Sequence, residues 1–319
     1  MCKHPAEAIS ADDVHTEGLS GAVLVVRVAV RISLFYNQGA GEGESLADIR
    51  KTLERQGHTV VQVVKDDADL QQLLATPTDL VVAAGGDGTV SAVARVLAGH
   101  RTPLAILPTG TANNIARSVG THASLEDASR RWRTQDPQSF DVGVVAGDWG
   151  ESRFVEGVGA GFIPAGIRAM DAKPPDEHDS TESKLEQAVA KFQAVLSQLR
   201  PRPTTLVLDG LVTSGDFLLV EVLNIRSIGP NLELSHEASP SDGLLTVVTA
   251  TEKDREALTD YLKQLLGGKK ASVSLGARHV RRVDLRGWEE IHVDDEVLAV
   301  SPDAQVSIRI EPAALEIFP

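Results

Sequence analysis

The chain has 319 residues, 42% of them hydrophobic and 24% charged, which is the composition of a soluble globular protein with room for one large or two ordinary domains. Its net charge of -14 excludes a general attraction to nucleic acid or to anionic membranes, and an aromatic content of 4% argues against single-strand binding by base stacking. The lone cysteine, Cys2, rules out an intramolecular disulfide and suits a reducing, cytoplasmic setting. No run reaches the ~18 apolar residues of a membrane span, and no signal peptide is expected.

Residues 1–20 are polar and read as a mobile tail. A strand–helix rhythm then begins. Strands are predicted over 23–35, 59–64, 80–84 and 104–107. Helices are predicted over 45–56, 67–75 (capped by Asp66 or Asp67), 89–98 and 111–118. Near-continuous apolar strands alternating with helices imply a parallel sheet covered on both faces. This α/β unit is placed at 21–140. After residue 140 the pattern turns to short strands. "DVGVVAGDWGESRFVEGVGAGF" reads as a hairpin with a Gly-Asp turn. A polar loop, "DAKPPDEHDS", introduces a long helix over 181–199, and a further helix spans about 253–266. Strands are also predicted over 204–208 and 217–223. Residues 141–319 are therefore expected to form a second, mainly β domain, with a cleft between the two.

The third strand runs into "AAGGDGTVSAVARVL" at 83–97. In a parallel sheet, ligands bind beside the carboxyl ends of strands. Glycines let a backbone approach closely, and the following helix aims its positive end and free N–H groups at the loop. Gly85, Gly86, Gly88 and Thr89 thus suit an anion, and phosphate is the obvious one. Asp87 in such a place suits a Mg²⁺ ion bridging phosphates. A tight turn with a helix cap would account for this loop taken alone. The pattern is neither the P-loop nor the spaced G-x-G-x-x-G fingerprint. A second strand-end loop, "LPTGTANNIARSVG" at 107–120, follows about twenty residues on. Two such loops side by side would line one nucleotide crevice.

"GGDGTV" followed by "PTGTANNIAR" resembles the diacylglycerol kinase catalytic domain family, which includes sphingosine and ceramide kinases. The resemblance runs from about Arg27 to the end. "YNQGAG" at 36–41 is similar to the family's first-strand loop. "GVGAGFIPAGI" at 157–167, "SPSDGLLTVV" at 239–248 and "IHVDDEVL" at 291–298 resemble later segments, in the right order. The resemblance implies an ATP- and Mg²⁺-dependent lipid kinase that phosphorylates a hydroxyl of diacylglycerol or a similar lipid at a membrane surface. Gly85 to Thr89 would hold the ATP phosphates, with Asp87 at the metal and phosphate centre. Asn37, Gly110, Thr111 and Asn113 would line the nucleotide site. Asp242, with the backbone carbonyls of Ser239 and Leu244, would bind a structural Mg²⁺. Glu296 would take the proton from the lipid hydroxyl. A homodimer is left open.

The chain departs from the family pattern at four places. Asn114 stands where Asp is usual, and Ser91-Ala92 replaces Asn-Glu. Asp295 replaces the Gly of Asp-Gly-Glu, and Gln38 replaces a Pro. Two other readings compete. One is an NAD-kinase-like enzyme sharing the glycine loop, although the Gly-Ser-Thr-Ala-Tyr segment of those kinases is absent. The other is a nucleotide- or lipid-binding relative without turnover. A lipid pocket is expected between the domains, lined partly by 157–167 and the 181–199 helix. Lys269, Lys270, Arg278, Arg281, Arg282 and Arg286 form a basic cluster that would face anionic head groups, or a solvated hairpin. The histidines at 58, 100, 236, 279 and 292 lack metal-ligand spacing and read as surface or satisfied polar groups.

Overall fold

A computed structural model describes residues 29–37, 44–121, 124–176 and 178–319. The tail at 1–20, Cys2, the start of the first predicted strand and residues 38–41 of its loop lie outside the described residues. Strand β1 (Arg31–Tyr36) is followed by helix α1 (Leu46–Arg55), which begins where Ser45 accepts a hydrogen bond from the Asp48 N–H and buries Ile49 and Leu53. Then come β2 (Thr59–Val64), a 3-10 helix (Asp67–Leu74) and β3 (Leu80–Gly85). Helix α2 (Asp87–Leu97), β4 (Leu104–Pro108), α3 (Asn114–Ser118) and α4 (Leu125–Arg131) follow. Strands β2-β1-β3-β4 lie parallel in that order, and every residue of β3 is buried.

Three helices differ from expectation for local reasons. The 67–75 segment takes the tighter 3-10 form, with Asp66 as its cap. Helix α2 starts two residues early because Gly86 serves as N-cap. Helix α3 starts three residues late because Asn113 adopts a positive φ of 53° and ties its side chain to Gly110.

The second half opens with β5 (Gln138–Gly147), β6 (Gly150–Phe154) and β7 (Gly157–Gly161). Helix α5 (Phe162–Ala172) follows, in a stretch where no helix was predicted. Gly166 is the reason it can pack: a Cβ there would stand 2.2 Å from the Phe192 ring. Phe192 lies on α6 (Thr181–Gln198) and meets Phe162 edge to face at 5.3 Å. Next are β8 (Arg202–Leu208), β9 (Leu211–Phe217), β10 (Leu219–Leu223), β11 (Ser227–Ile228), β12 (Leu232–Glu233) and β13 (Leu245–Ala250). Helix α7 (Arg255–Leu266) precedes β14 (Gly276–Val280), β15 (Arg282–Arg286), β16 (Glu290–Val293), β17 (Glu296–Ala299) and β18 (Val306–Phe318). Strands β14-β13-β10-β7-β16-β17 form an antiparallel sheet whose core packs against α5, α6 and α7.

The last strand joins the two halves. Residues at the start of β18 pair antiparallel with β15 and β5. Its end pairs parallel with β4, Ile317 opposite Leu104. The N-terminal parallel sheet is thus completed by the end of the chain. No helix among the described residues is long and apolar enough to cross a membrane. Ile317 is 1% exposed, so Ile317→Ala is expected to cost about 2–5 kcal/mol. Chemical denaturation monitored in the N-terminal half checks this, and a loss under 1 kcal/mol would mean that the strand end does not hold the sheet.

Candidate functional site

The two glycine loops touch. The Thr109 N–H donates to Gly85 O at 3.0 Å, and a Cβ on Gly110 would stand 2.4 Å from Gly86 Cα. Only glycines allow backbones this close. Asn37, at the end of β1, donates its N–H to Ala84 O at 3.1 Å and its Nδ2 to Thr89 Oγ1 at 3.0 Å. Asn113 Oδ1 accepts from the Gly110 N–H at 3.0 Å. Asp87 crosses from one loop to the other, its Oδ1 accepting from the Ile115 N–H at 3.0 Å. Burial pushes the Asp87 carboxyl up from its ordinary value, against the backbone N–H groups of Ile115, Asn114 and Asn113; nearby Asp295 adds to the rise. The structure therefore brings Asn37, Gly85, Gly86, Asp87, Gly88, Thr89, Gly110, Thr111 and Asn113 to one edge of the sheet.

The Asp294–Asp295–Glu296 turn comes to this edge from the second half. Asp294 is buried at a φ of 53°. Its carboxylate accepts from the N–H groups of Val155 (3.0 Å), Glu156 (2.8 Å) and Gly157 (3.3 Å), and from Ser91 Oγ. Arg95 pairs with it at 3.3 Å. Ser91 thus ties α2 to the opposite half. Behind the turn, His292 Nδ1 bonds Asp294 O at 2.8 Å and His292 Nε2 bonds Glu221 at 3.0 Å, both side chains wholly buried. Burial alone would depress the imidazolium, but the Glu221 charge and hydrogen bond outweigh it and raise His292. Asp295 is exposed, and its Oδ2 would stand 2.7 Å from a Cβ on Gly88.

A cavity of about 470 Å³ opens here. It is lined by Thr111, Glu156 and Asp295 and by an apolar wall of Ile167, Met170, Ala188 and Phe192, with Asp171 and Lys184 also in the lining. That wall comes from α5 and α6, close to the segments expected to build it. Glu296 is exposed and does not line the cavity. Glu156 does, and the sequence reading missed it. A charged residue inside the apolar, glycine-rich run "FVEGVGAG" was the available signal. Glu156 is 4% exposed, and its Oε1 has no hydrogen-bond partner among the described residues. Burial, then the charges of Asp87, Asp294 and Asp295, push its carboxyl well up.

The other expected residues lie elsewhere. Asp242 is exposed in a turn, where its Oδ1 accepts from the Leu244 N–H at 2.9 Å, and Ser239 Oγ lies 3.4 Å from Ser241 Oγ. Buried Asp141 anchors that loop, accepting from the N–H groups of Gly243 and Ala313, both at 2.7 Å. Among the described residues no three His, Cys, Asp or Glu side chains form a metal-ligating group. Magnesium commonly takes one or two carboxylates and completes its shell with phosphate and water, and Asp87 with Asp295 beside Gly88 fits that donor set. The basic cluster is not one patch. Lys269 and Lys270 line a groove that shares Leu185 and Pro230 with the cavity. Arg278 and Arg282 lie on strands of different sheets, Arg282 pairing with Asp284 at 3.4 Å, and Arg286 bonds Gln305 at 2.6 Å.

Comparison with known proteins gives a consistent result. Residues 31–145 match the diacylglycerol kinase catalytic domain, and residues 161–319 match the YegS C-terminal NAD kinase beta sandwich-like domain. A "Diacylglycerol kinase" of Mycobacterium tuberculosis is 30% identical over 83% of this chain and 86% of its own length. A "Probable lipid kinase YegS-like" of Stenotrophomonas maltophilia is 29% identical over 69% of this chain and 73% of its own. A crystal structure described as a diacylglycerol kinase of Bacillus anthracis shares the fold at a TM-score of 0.66, with 18% identity over 90% of this chain and 96% of that one. A yeast NADH kinase shares it at 0.53, with 8% identity over 91% and 82%.

Asp294→Ala would strand three backbone N–H groups and Arg95, and is expected to cost about 3 kcal/mol in urea denaturation; a cost below 1 kcal/mol would show that the turn is held by something else. Glu156, Asp87 and His292 are all raised and each binds its proton more tightly folded than unfolded, whereas burial pushes His58 down. The carboxyls lose stability as pH climbs above the ordinary carboxylate range, and the protonated His292 pair loses its contribution as pH rises through its raised value. The fall in melting temperature with rising pH is therefore expected to be shallower in Glu156→Gln than in the unaltered protein, and equal slopes would contradict the Glu156 shift.

Proposed function

Because the chain belongs to the diacylglycerol kinase family and is a lipid kinase, we propose that it transfers the γ-phosphate of Mg²⁺-bound ATP to a hydroxyl of diacylglycerol or a similar lipid. The observation that carries this reading is the cavity joining Thr111 of the second glycine loop to the apolar wall of Ile167, Met170, Ala188 and Phe192. The loop residue suits phosphate and the apolar residues suit an acyl chain.

In this reading the N–H groups of 85–89 and the N-terminus of α2 hold the phosphates. Asn37, Gly110, Thr111 and Asn113 shape the nucleotide site. Asp87 supports the metal, whose charge would neutralise the phosphate oxygens. Asp242, with the Ser239 and Leu244 carbonyls, remains the candidate for a structural Mg²⁺. The lipid would be met at a membrane surface from the cytoplasm, without any nucleic-acid partner. A homodimer is compatible with this reading. The NAD-kinase reading is less well supported, because a wall of Ile, Met and Phe offers a dinucleotide little to bond.

Phosphate transfer from radiolabelled ATP with Mg²⁺ tests the reading against diacylglycerol, monoacylglycerol, ceramide, sphingosine and phosphatidylglycerol in mixed micelles, with NAD as control. Label is expected on a lipid, with removal of Mg²⁺ by chelation abolishing it and Asp87→Asn lowering it by about 100-fold or more. Label on NAD alone, or none with ATP still bound, would refute the reading.

A further inference from the structure

A groove of about 740 Å³ adjoins the cavity, shares Leu185 and Pro230 with it, and has no part in the reading above. Both halves of the chain supply charges to it. Arg117 comes from α3, Glu182 and Glu186 stand one turn apart on α6, Glu233 is on β12, and Lys269 and Lys270 follow α7. Three cations thus meet three carboxylates, in a chain of net charge -14. None of the six is engaged in an ion pair among the described residues. A purely anionic ligand would gain the cations but be repelled by the carboxylates, whereas one carrying both signs gains from each set.

Two less exposed groups narrow the chemistry. Tyr261 is 2% exposed, and its hydroxyl oxygen accepts from the Glu233 N–H at 2.8 Å, so its own O–H proton is left for another acceptor. Burial pushes the phenol up to about 12, which keeps that proton in place. The buried Oδ1 of Asn231 has no hydrogen-bond partner among the described residues and suits an N–H donor. A primary ammonium brings three such donors and a quaternary ammonium brings none. Leu185, Val189 and Leu265 add apolar surface to the same groove, which suits the chains of a lipid better than a free phosphate ester.

We propose that this groove binds a zwitterionic phospholipid with a phosphoethanolamine head group. Its phosphate meets Arg117, Lys269, Lys270 and the Tyr261 hydroxyl, and its ammonium meets Glu182, Glu186 and Asn231. Such a lipid has no hydroxyl to phosphorylate, so it is a second lipid beside the acceptor, and the site goes beyond the kinase reading. It also gives an acidic protein a hold on a bilayer whose anionic lipids would repel it.

The test is flotation of the full chain with vesicles, without nucleotide or acceptor lipid. The vesicles are dioleoylphosphatidylcholine alone, or the same with half replaced by dioleoylphosphatidylethanolamine or by dioleoylphosphatidylglycerol. The ethanolamine vesicles are expected to bind about tenfold more tightly than the other two. Two double variants, Lys269→Gln with Lys270→Gln and Glu182→Gln with Glu186→Gln, are each expected to lose that preference. All four side chains are exposed, so the melting temperature should not move. The glutamate pair discriminates most sharply. On a surface that only sought anions, its removal would strengthen binding to phosphatidylglycerol and leave the ethanolamine vesicles unaffected. Equal binding to all three vesicles, a preference for phosphatidylglycerol, or an ethanolamine preference that survives loss of the glutamates would overturn the proposal. So would binding of soluble phosphoethanolamine by a protein that floats with no vesicle, which would make a free phosphate ester the ligand. Because ATP and acceptor are absent, each of these failures leaves the kinase reading standing. A protein that shows the preference but phosphorylates no lipid would overturn the kinase reading alone.

Discussion

A single buried carboxylate holds the two halves of this protein in working register. Asp294 reaches from the β16–β17 turn and collects three successive backbone N–H groups, those of Val155, Glu156 and Gly157, together with Ser91 and Arg95 of α2. Taking a carboxylate out of water is expensive unless its oxygens are fully engaged. Here they are engaged from both halves at once. Separating the halves would strand the charge, its partners or both. The same contact sets the direction of the chain at 155–157, and with it the place of Glu156.

The second anchor lies behind the first. His292 and Glu221 are wholly buried together, and His292 grips the Asp294 carbonyl. This keeps Asp294 in its positive-φ conformation, which a non-glycine residue adopts only when its surroundings impose it. The left-handed turn carries Asp295 toward Gly88. The lack of a side chain at Gly88 leaves room for that carboxylate beside the phosphate loop. A chain of contacts thus runs from a buried ion pair, through a turn, to the cleft where Asp87, Asp295 and Glu156 gather. The Ser91 that replaces the family's usual residue after the glycine loop belongs to the same device, because its hydroxyl meets Asp294.

What could be read from the sequence was what neighbouring residues decide among themselves. Gly85 to Thr89 and Thr109 to Asn113 announce strand–loop–helix junctions within a few positions, and the parallel sheet follows from apolar runs such as 80–84. Residues whose meaning depends on distant partners were invisible. Asp294 meets Ser91 across 203 positions and Val155 across 139, and no local pattern marks either contact. Helix α5 was hidden because it continues a glycine-rich run, when its own Gly166 is there to admit the Phe192 ring. Asp242 was singled out by the resemblance as a metal ligand, while the buried anchor of its loop is Asp141, more than a hundred positions away.

The most direct test is a crystal structure with a non-hydrolysable ATP analogue, Mg²⁺ and a diacylglycerol. The account requires the triphosphate against 85–89 and Thr111. It requires the acyl chains along Ile167, Met170 and Phe192, and the Asp294 contacts intact. A nucleotide bound away from the glycine loops, or a lipid bound outside this cavity, would contradict it.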